Sequence, residues 1–514
     1  MSRRDDELVP DDADPRREAE LDAAFRRAVS GVPDLEPDAD DLLAELEADR
    51  AAAEAALDEG EWAEEAERVL EELLARGGEA QPEPRLEPTR RAVELLGDVH
   101  RAYPVIHLTG TNGKTSTARI AASLLQAHGL RTGLLTSPHL ERLSERILIE
   151  GQPISDERLV ANWDDIAPFL ALVDGELEAA GEPRLTFFEA LTVLACACFA
   201  DAPVDVAVVE VGMGGEWDST NVMDGQVAVF TPIGIDHAAR LGSTVAEIAR
   251  TKAGIIKPGA TVVAAAQQPE ALAELRAAAE ADGAELRIAG EDFGLEADIA
   301  GVGGRLVSVR GLAGRYDELF LPLLGRHQSE NAALAIAAVE AFFGGGRELR
   351  RELVEQGLAE SSSPGRLQLI GQEPTVLIDA AHNPHGARAL AEAIREGFAF
   401  ERLVLVVGML ADKDAEGFIR ELAPVATHLV ATQSDSPRAR DADDLAELLR
   451  SELRAERPEL EIDAEPDLRS ALDLARGLAA HGEGEGPGAV LVAGSITVIG
   501  AAMTIAREEG WLSA

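Results

Sequence analysis

A glycine-rich loop between a short apolar segment and a helical segment most constrains how this 514-residue chain can fold. The apolar segment runs from Val105 to Leu108, the helical pattern runs from Thr117 to His128, and residues 109–116 between them read Thr-Gly-Thr-Asn-Gly-Lys-Thr-Ser. Such a unit predicts a strand, a loop and a helix whose N-terminal backbone N–H groups converge on a phosphate. Leu108 stands where the common phosphate-binding loop has its first glycine, so an ordinary strand-to-helix turn is the alternative.

Alternating strand and helix patterns continue beyond this loop and predict an α/β fold with parallel sheets. Val204 to Val211 and Val227 to Thr231 are short apolar runs typical of buried strands. A Ser-Ser-Ser-Pro-Gly break at 361–365 interrupts the pattern. A second alternating set follows it, at Thr375 to Asp379, Leu403 to Val407, His428 to Thr432 and Ala489 to Ala493. We therefore predict a nucleotide-binding domain over 85–362 and a smaller α/β domain over 363–514.

The composition is strongly acidic, with a formal net charge of -47. Residues 1–84 alone hold 28 Asp and Glu against 9 Arg, and they predict a partly disordered acidic extension with helices at Asp41 to Leu57 and Trp62 to Leu74. A chain without a basic stripe is a poor ligand for nucleic acid or anionic membranes. The charged start and the absence of a long apolar run predict neither export nor membrane spanning, hence a cytoplasmic protein.

Only four of the 47 basic residues are lysines. Arginine serves everywhere else, so a retained lysine indicates a task that guanidinium cannot perform, such as fitting among phosphates or reacting as an amine. Lys114 ends the glycine-rich loop, where it would reach the outer phosphates of a nucleotide while Thr115 or Ser116 faces Mg²⁺. Lys252 has small and apolar neighbours, which would depress its pKa. A buried structural lysine or a helix-terminal cation explains Lys252 equally well.

The other two lysines and the two cysteines have plainer alternatives. Lys257 precedes Pro-Gly and would suit a helix C-terminus, and Lys413 lies between two aspartates, as in a surface ion pair; a direct ligand role is the other reading of each. Cys196 and Cys198 lie in an alanine-rich run with no second ligand pair, so we predict that they pack in a core.

Two further polar residues follow predicted strands of the first sheet, at the edge where α/β sheets gather ligand groups. Glu210 lies near the end of the strand that starts at Val204, and it would hold Mg²⁺ or merely terminate the strand. His237 follows the next strand, together with Asp236, and it would bind a metal or a phosphate or be structural.

Eleven short motifs resemble, in this order, those of the folylpolyglutamate synthase and dihydrofolate synthase family of Mur-type amide ligases. They lie at 109–116, 136–140 with 145–146, 187–189, 209–221, 236–237, 252–257, 325–328 with 331, 364–366, 379–384, 412–414 and 494–495. The resemblance runs from about residue 86 to the C-terminus, and the Gly-Met-Gly-Gly-x-Trp-Asp segment at 212–218 is similar to actinobacterial members. It implies a Mur-ligase-type P-loop ATPase domain followed by a Rossmann-like α/β domain.

The resemblance also implies an activity and site residues. A monomeric enzyme would use ATP and Mg²⁺ to join L-glutamate to dihydropteroate or reduced folates through an acyl phosphate. Nucleotide would be bound by Gly110, Thr111, Asn112, Gly113, Lys114, Thr115, Ser116, Asn331 and Arg366. Mg²⁺ would be bound by Ser137, Glu210, His237 and Lys252, the last as a carbamate formed with CO₂. Lys114, Lys252, Asp379 and His382 would be catalytic, and Ser495 is a candidate near the glutamate.

The chain departs from the family pattern at a few positions. Glu216 stands where arginine is usual, and an anion near a polyanionic site would alter ligand contacts by repulsion. Smaller departures are Thr115, Ser219, Thr251 and Ala380.

Two alternative functions are open at this point. One is a Mur-type ligase that acts on a peptidoglycan precursor or a cyanophycin-like polymer. The other is a nucleotide-binding regulator without activity, which Glu216 and the acidic extension would suit and which the intact Lys114, Glu210, His237 and Lys252 disfavour.

Overall fold

The computed structural model describes residues 60–77, 83–481 and 486–511. A helical segment at 60–74 contains the predicted helix Trp62 to Leu74, whereas the predicted helix Asp41 to Leu57 lies outside the described residues. Val69 and Leu73 of this segment are fully buried beside Trp163. The segment therefore belongs to the core of the first domain.

One large sheet forms the centre of the first domain. Its strands are β1 Val105–Thr109, β2 Thr132–Leu135, β3 Ile147–Ile149, β4 Gln152–Pro153, β5 Val206–Glu210, β6 Gly225–Phe230, β7 Thr261–Ala264 and β8 Glu285–Ile288. The eight strands lie in the order β4-β3-β2-β5-β1-β6-β7-β8. All pairs are parallel except the antiparallel pairs that β3 makes with β2 and β4 at one edge. The predicted parallel-rich sheet is confirmed, with strand ends within two residues of those expected.

Helices cover both faces of this sheet, because its parallel strands are apolar on both sides. The helices of the domain are 60–74, Glu87–Leu95, Lys114–Ala127, Asp156–Ala180, Phe187–Asp201, Ala238–Leu241, Val245–Ala253, Pro269–Ala281, Arg326–Phe342 and Arg351–Ala359, with 3-10 turns at Val99–Arg101, Leu143–Arg146 and Ser219–Val222. Cys196 and Cys198 are fully buried with free thiols in the core on one face, as predicted. Among the described residues no helix is long and apolar enough to span a membrane.

A small antiparallel sheet holds one of the site-bearing helices in place. It consists of β9 Gly294–Gly301, β10 Gly304–Arg310 and β11 Arg315–Leu321. The buried carboxylate of Glu340, on the helix Arg326–Phe342, accepts hydrogen bonds from Leu312 N, from Gly314 N at 3.0 Å and from the Tyr316 hydroxyl at 2.7 Å. One side chain thus joins this helix to the turn between β10 and β11.

The second domain is a smaller α/β unit. Its strands are β12 Gln368–Gln372, β13 Thr375–Ile378, β14 Arg402–Val407, β15 His428–Ala431, β16 Glu461–Ala464 and β17 Gly488–Ala493, in the order β12-β13-β17-β14-β15-β16. Only the β12–β13 pair is antiparallel. Its helices are Pro384–Gly397, Ala415–Leu422, Ala442–Leu453, Leu468–His481 and Ile496–Glu508, with a 3-10 turn at Ala423–Val425.

A loop of the first domain docks against the last helix of the second. Glu141 accepts hydrogen bonds from both terminal nitrogens of Arg507, at 2.8 and 2.6 Å, and from the Thr504 hydroxyl at 2.7 Å. A Cβ added to Gly500 would lie 2.1 Å from the carbonyl oxygen of Leu140. The close approach of the two domains at this point therefore requires glycine.

We predict that Glu340→Ala lowers the free energy of unfolding by about 3 kcal/mol, because three backbone N–H groups and the Tyr316 hydroxyl lose their acceptor. Urea denaturation followed by circular dichroism measures the change. Glu352→Ala, at an exposed position of the following helix, is the control and is expected to stay within about 0.5 kcal/mol of the wild type. Equal stability of the two variants would show that the hydrogen bonds of Glu340 to the turn between β10 and β11 do not stabilise the fold.

Candidate active site

The glycine-rich loop leaves β1 and enters the helix Lys114–Ala127 through two glycines with positive φ. Gly110 has φ 151°, and a Cβ there would lie 1.9 Å from Thr231 Oγ1, which follows β6. Gly113 has φ 87° at the N-cap of the helix and lies against the side chain of Asn331. No larger residue fits at either position, so the loop keeps its backbone N–H groups at the helix N-terminus, where an anion is favoured.

Two of the four lysines meet at the carbonyl oxygen of Gly110. Lys252 Nζ donates to it at 2.8 Å and Lys114 Nζ at 3.3 Å, while Lys114 also reaches the carbonyl oxygen of Thr111 at 3.2 Å. Lys252 is 4% exposed at the end of the helix Val245–Ala253. Burial, together with the charge of Lys114, lowers the pKa of Lys252 to about 7. The depressed pKa expected for Lys252 is therefore present, and a large neutral fraction exists near pH 7.

Glu210 ends β5 beside the loop and carries a buried carboxylate. The Thr115 hydroxyl lies 3.0 Å from both carboxylate oxygens and donates to them, and Ser137 N donates at 3.4 Å. Burial raises the pKa of Glu210, against the lowering by the charge of Lys114 and by the bond from Thr115. A buried carboxylate among hydroxyl groups offers hard oxygen atoms, which Mg²⁺ prefers.

A wider all-protein metal cage is absent from the described parts of the chain, where no three His, Cys, Asp or Glu side chains gather in a metal-binding group. Mg²⁺ commonly takes one or two carboxylates and completes its shell with substrate phosphates and water. Glu210 with neighbouring hydroxyl groups fits this kind of site.

Asp236 is the most densely contacted acid of the site. Its carboxylate lies 3.1 Å from Lys413 Nζ, 3.7 Å from His382 Nε2 and 3.9 Å from His237 Nε2. Burial alone would raise the pKa of Asp236, but the nearby His382, His237 and Lys413 hold it well below its usual range. Burial also lowers the pKa of His237 to about 4. Asp236 and His237 belong to the first domain and His382 and Lys413 to the second, so this acid binds the domains together.

The second domain contributes further groups from the end of β13. The Asp379 carboxylate accepts hydrogen bonds from Leu367 N and Ala381 N, both at 2.8 Å. Burial raises the pKa of Asp379, and the charge of Arg366 opposes this. Arg366 and Asp379 thus lie together at the edge of the second sheet that faces the first domain.

All these groups surround one cavity of about 600 Å³ between the two domains. Every residue predicted for the site lines it: Gly110, Thr111, Asn112, Gly113, Lys114, Thr115, Ser116, Ser137, Glu210, His237, Lys252, Asn331, Arg366, Asp379, His382 and Ser495. Lys413 also lines the cavity, whereas Lys257 does not and donates to the carbonyl oxygen of Asn221 at 2.9 Å.

The structure changes the interpretation of two sequence features. Glu216 is exposed and outside the cavity, so its charge does not face the groups that line it, contrary to the repulsion expected from the sequence. Lys257 lies beyond the helix that ends at Ala253, so it is not a cation at that helix end.

Some cavity residues were not singled out from the sequence. Asp218 is buried in the lining and accepts hydrogen bonds from Met213 N at 2.8 Å and Thr220 N at 3.0 Å. Asp236 had been noted only as the neighbour of His237. Both aspartates lie in motifs that resemble the family. Only their contacts in the structure show that they belong to the site, because the sequence gives them no feature that other residues of these motifs lack.

Two family models match the two domains. The Mur ligase middle domain matches residues 108–339, and the Mur ligase glutamate ligase domain matches residues 365–496. The fold and the site thus define an ATP-dependent ligase of the Mur type.

Individual relatives narrow this class. A dihydrofolate synthase/folylpolyglutamate synthase of Mycobacterium tuberculosis is 44% identical over 82% of this chain and 91% of its own length, and one of Bacillus subtilis is 36% identical over 70% and 84%. The structure of the Mycobacterium tuberculosis folylpolyglutamate synthase with ADP and AMPPCP aligns with a TM-score of 0.81 at 42% identity over 87% of this chain and 99% of that one. Escherichia coli FolC with DHPP and ADP aligns with a TM-score of 0.70 at 31% identity over 83% and 94%. The chain belongs to the dihydrofolate synthase/folylpolyglutamate synthase family of ATP-dependent glutamate ligases.

We expect Lys114→Ala to weaken ATP binding about tenfold or more, because a charged hydrogen bond to phosphate is lost. Isothermal titration calorimetry with Mg-ATP measures the dissociation constant. Lys257→Ala, a lysine outside the cavity, is the matched control and should bind ATP like the wild type. Wild-type affinity of the Lys114 variant would exclude a phosphate contact for this lysine.

Proposed function

We propose that this enzyme joins L-glutamate both to dihydropteroate and to the γ-carboxylate of reduced folates. The observation that carries the proposal is the cavity between the two domains, in which the nucleotide loop faces Asp379 and His382 of the second domain. The names of the Mycobacterium tuberculosis and Bacillus subtilis relatives include both synthase activities, which supports the two acceptors.

In the first step, a carboxylate oxygen of the acceptor attacks the γ-phosphorus of ATP. A bond forms between that oxygen and the γ-phosphorus, and the bond from the γ-phosphorus to the oxygen that bridges it to the β-phosphate breaks. ADP is released, and the acceptor becomes an acyl phosphate. Lys114 binds the outer phosphate oxygens, and the N–H groups of Gly113 and its neighbours position them at the helix N-terminus. Catalysis of this kind rests on positioning and on charge stabilisation.

Ser137, Glu210 and His237 would hold Mg²⁺, together with the hydroxyl groups of the loop. The metal supplies charge that offsets the negative phosphate oxygens when it is bound. The chain's own contribution is a carboxylate already fixed by Thr115 and by Ser137 N, so that its oxygens need no reorganisation.

Lys252 would react as an amine with CO₂. The neutral amine, which the low pKa of Lys252 makes available, forms a nitrogen–carbon bond with CO₂, loses one proton and becomes a carbamate anion. Its Nζ is buried and lies near Lys114, which disfavours a second cation and favours an anion. Arginine does not undergo this reaction at its guanidinium, which accounts for lysine at this position.

In the second step, the amino group of glutamate attacks the acyl carbon, and phosphate leaves as the amide forms. Asp379, His382 and Ser495 line the cavity on the second-domain side, where the incoming amino acid would bind. Asn331 and Arg366 would contact the nucleotide. We also propose that the enzyme is a cytoplasmic monomer whose first domain comprises 85–362, with the helical segment 60–74 packed into its core, and whose second domain comprises 363–514.

We expect the purified enzyme to release phosphate with Mg-ATP and L-glutamate when either dihydropteroate or tetrahydrofolate is present, because one cavity serves the same chemistry on both acceptors. A coupled phosphate assay with the two acceptors in parallel measures this, with Lys114→Ala as the negative control. Strict rejection of one acceptor would refute bifunctionality. Rejection of both, with ATP binding preserved, would favour another acceptor or an inactive regulator.

We expect Lys252→Ala to lower kcat roughly 100-fold while ATP binding is retained, because the anion near the metal is lost and the nucleotide loop remains. Steady-state phosphate release and calorimetry measure the two quantities, with Lys257→Ala as the control. A ¹³C carbamate signal from labelled bicarbonate should be present in the wild type and absent from the Lys252 variant. Unchanged turnover of the Lys252 variant would remove the carbamate proposal.

A further inference from the structure

A buried side-chain amide, that of Asn383, lies where the two domains meet beside the nucleotide loop. Asn383 is 5% exposed and does not line the cavity. Its Oδ1 accepts from Gly386 N at 2.8 Å and from Asn112 Nδ2 at 3.3 Å. Its Nδ2 donates to Asn112 Oδ1 at 3.1 Å and to Asp236 Oδ2 at 3.4 Å. Both donors and both acceptor positions of the amide are therefore used.

These partners fix the orientation of the amide. If oxygen and nitrogen exchanged places, the Nδ2 group would face the Gly386 N–H, and Oδ1 would face the Asp236 carboxylate. Both contacts would become repulsive, and buried polar groups would lose their hydrogen-bond partners. The loss of a partner costs more free energy for a buried group than for an exposed one. The amide thus has a single favourable orientation.

The amide connects three parts of the molecule. Asn112 belongs to the nucleotide loop, and Asp236 follows β6 in the first domain. Asn383 is the N-cap of the helix Pro384–Gly397 in the second domain and directly follows His382. Asn112 also contacts His385 of this helix, with 3.0 Å between Asn112 Nδ2 and His385 Nδ1. The loop that holds the nucleotide is therefore joined to the start of this helix by paired side chains.

We propose that Asn383 is a positioning residue. Its amide fixes the position of the second domain relative to the nucleotide loop, which we call registration, so that His382 and Lys413 face the phosphates. Capping the helix requires only an acceptor, which Ser or Asp also provides. The two donated bonds across the domain boundary require an amide. The inference rests on the proposed function only through the placement of His382 and Lys413 beside the reacting groups.

Two substitutions separate the capping role from registration. Asn383→Ser keeps a capping oxygen and removes both amide N–H donors, which the shorter hydroxyl side chain does not replace. Asn383→Asp is isosteric and also caps, but it places a second carboxylate beside Asp236. Asp441→Asn is the matched control, because Asp441 caps the helix Ala442–Leu453 through Asp443 N and Asp444 N and lies outside the cavity.

The variants are compared in the full-length enzyme by phosphate release with glutamate and tetrahydrofolate. We expect kcat to fall about 10- to 100-fold for Asn383→Asp and less for Asn383→Ser, because a misplaced reacting group is costly. The KM for ATP should change less than about threefold, and Asp441→Asn should match the wild type. Wild-type kcat in a folded Asn383→Ser variant would overturn the proposal, even if Asn383→Asp fails to fold.

Amide hydrogen exchange provides a readout that does not depend on the acceptor. Backbone exchange at 110–113 and 236–241 should become roughly tenfold faster in both Asn383 variants and stay unchanged in Asp441→Asn. If the wild type releases no phosphate with tetrahydrofolate, the proposed acceptor is wrong, and exchange alone then decides the role of Asn383. Wild-type exchange in both Asn383 variants would refute registration.

Discussion

The carbonyl oxygen of Gly110 is the contact on which the rest of the site depends. It accepts hydrogen bonds from both Lys252 and Lys114, and it lies there because Gly110 packs directly against Thr231. Gly110 thereby brings together the loop after β1, the segment after β6 and the helix that ends at Ala253. Burial and the nearby charge of Lys114 disfavour a second cation at this oxygen, so the pKa of Lys252 is low and its amine is partly neutral.

The acidic composition of the chain contrasts with the mixed charge of the cavity, whose lining places Lys114, Arg366 and Lys413 among carboxylates. With a formal net charge of -47, the molecule as a whole repels anions, so a nucleotide would have to be held by local groups of the cavity. These groups come from the ends of parallel strands, where β1, β5 and β6 deliver the loop, Glu210 and Asp236 to the same edge. The fold thus places charged groups that are far apart in the sequence close together at one edge of the sheet.

Much of the fold and of the site was predictable from the sequence, because buried parallel strands are continuous apolar runs and glycine-rich loops have few conformations. The strand that ends at Glu210 and the strand that ends just before Asp379 were expected within two residues of their ends. Contacts across the domain boundary were not predictable. Lys257 and Lys413 looked equivalent in sequence, and only the docking of the second domain pairs Lys413 with Asp236. Likewise, no sequence pattern distinguishes the capping role of Asn383 from its bonds to Asn112.

The contact at Gly500 limits how closely the two domains can approach each other. At this contact the Leu140 carbonyl already lies where a methyl group would have to fit, and Glu141 ties the same loop to Arg507. Further narrowing at that point is blocked by backbone atoms, which yield far less than flexible side chains do. The distance between the two domains there is therefore set by rigid backbone rather than by ligand size. Acceptors of different length would meet the same closed geometry at the phosphate, with any extra length accommodated away from it.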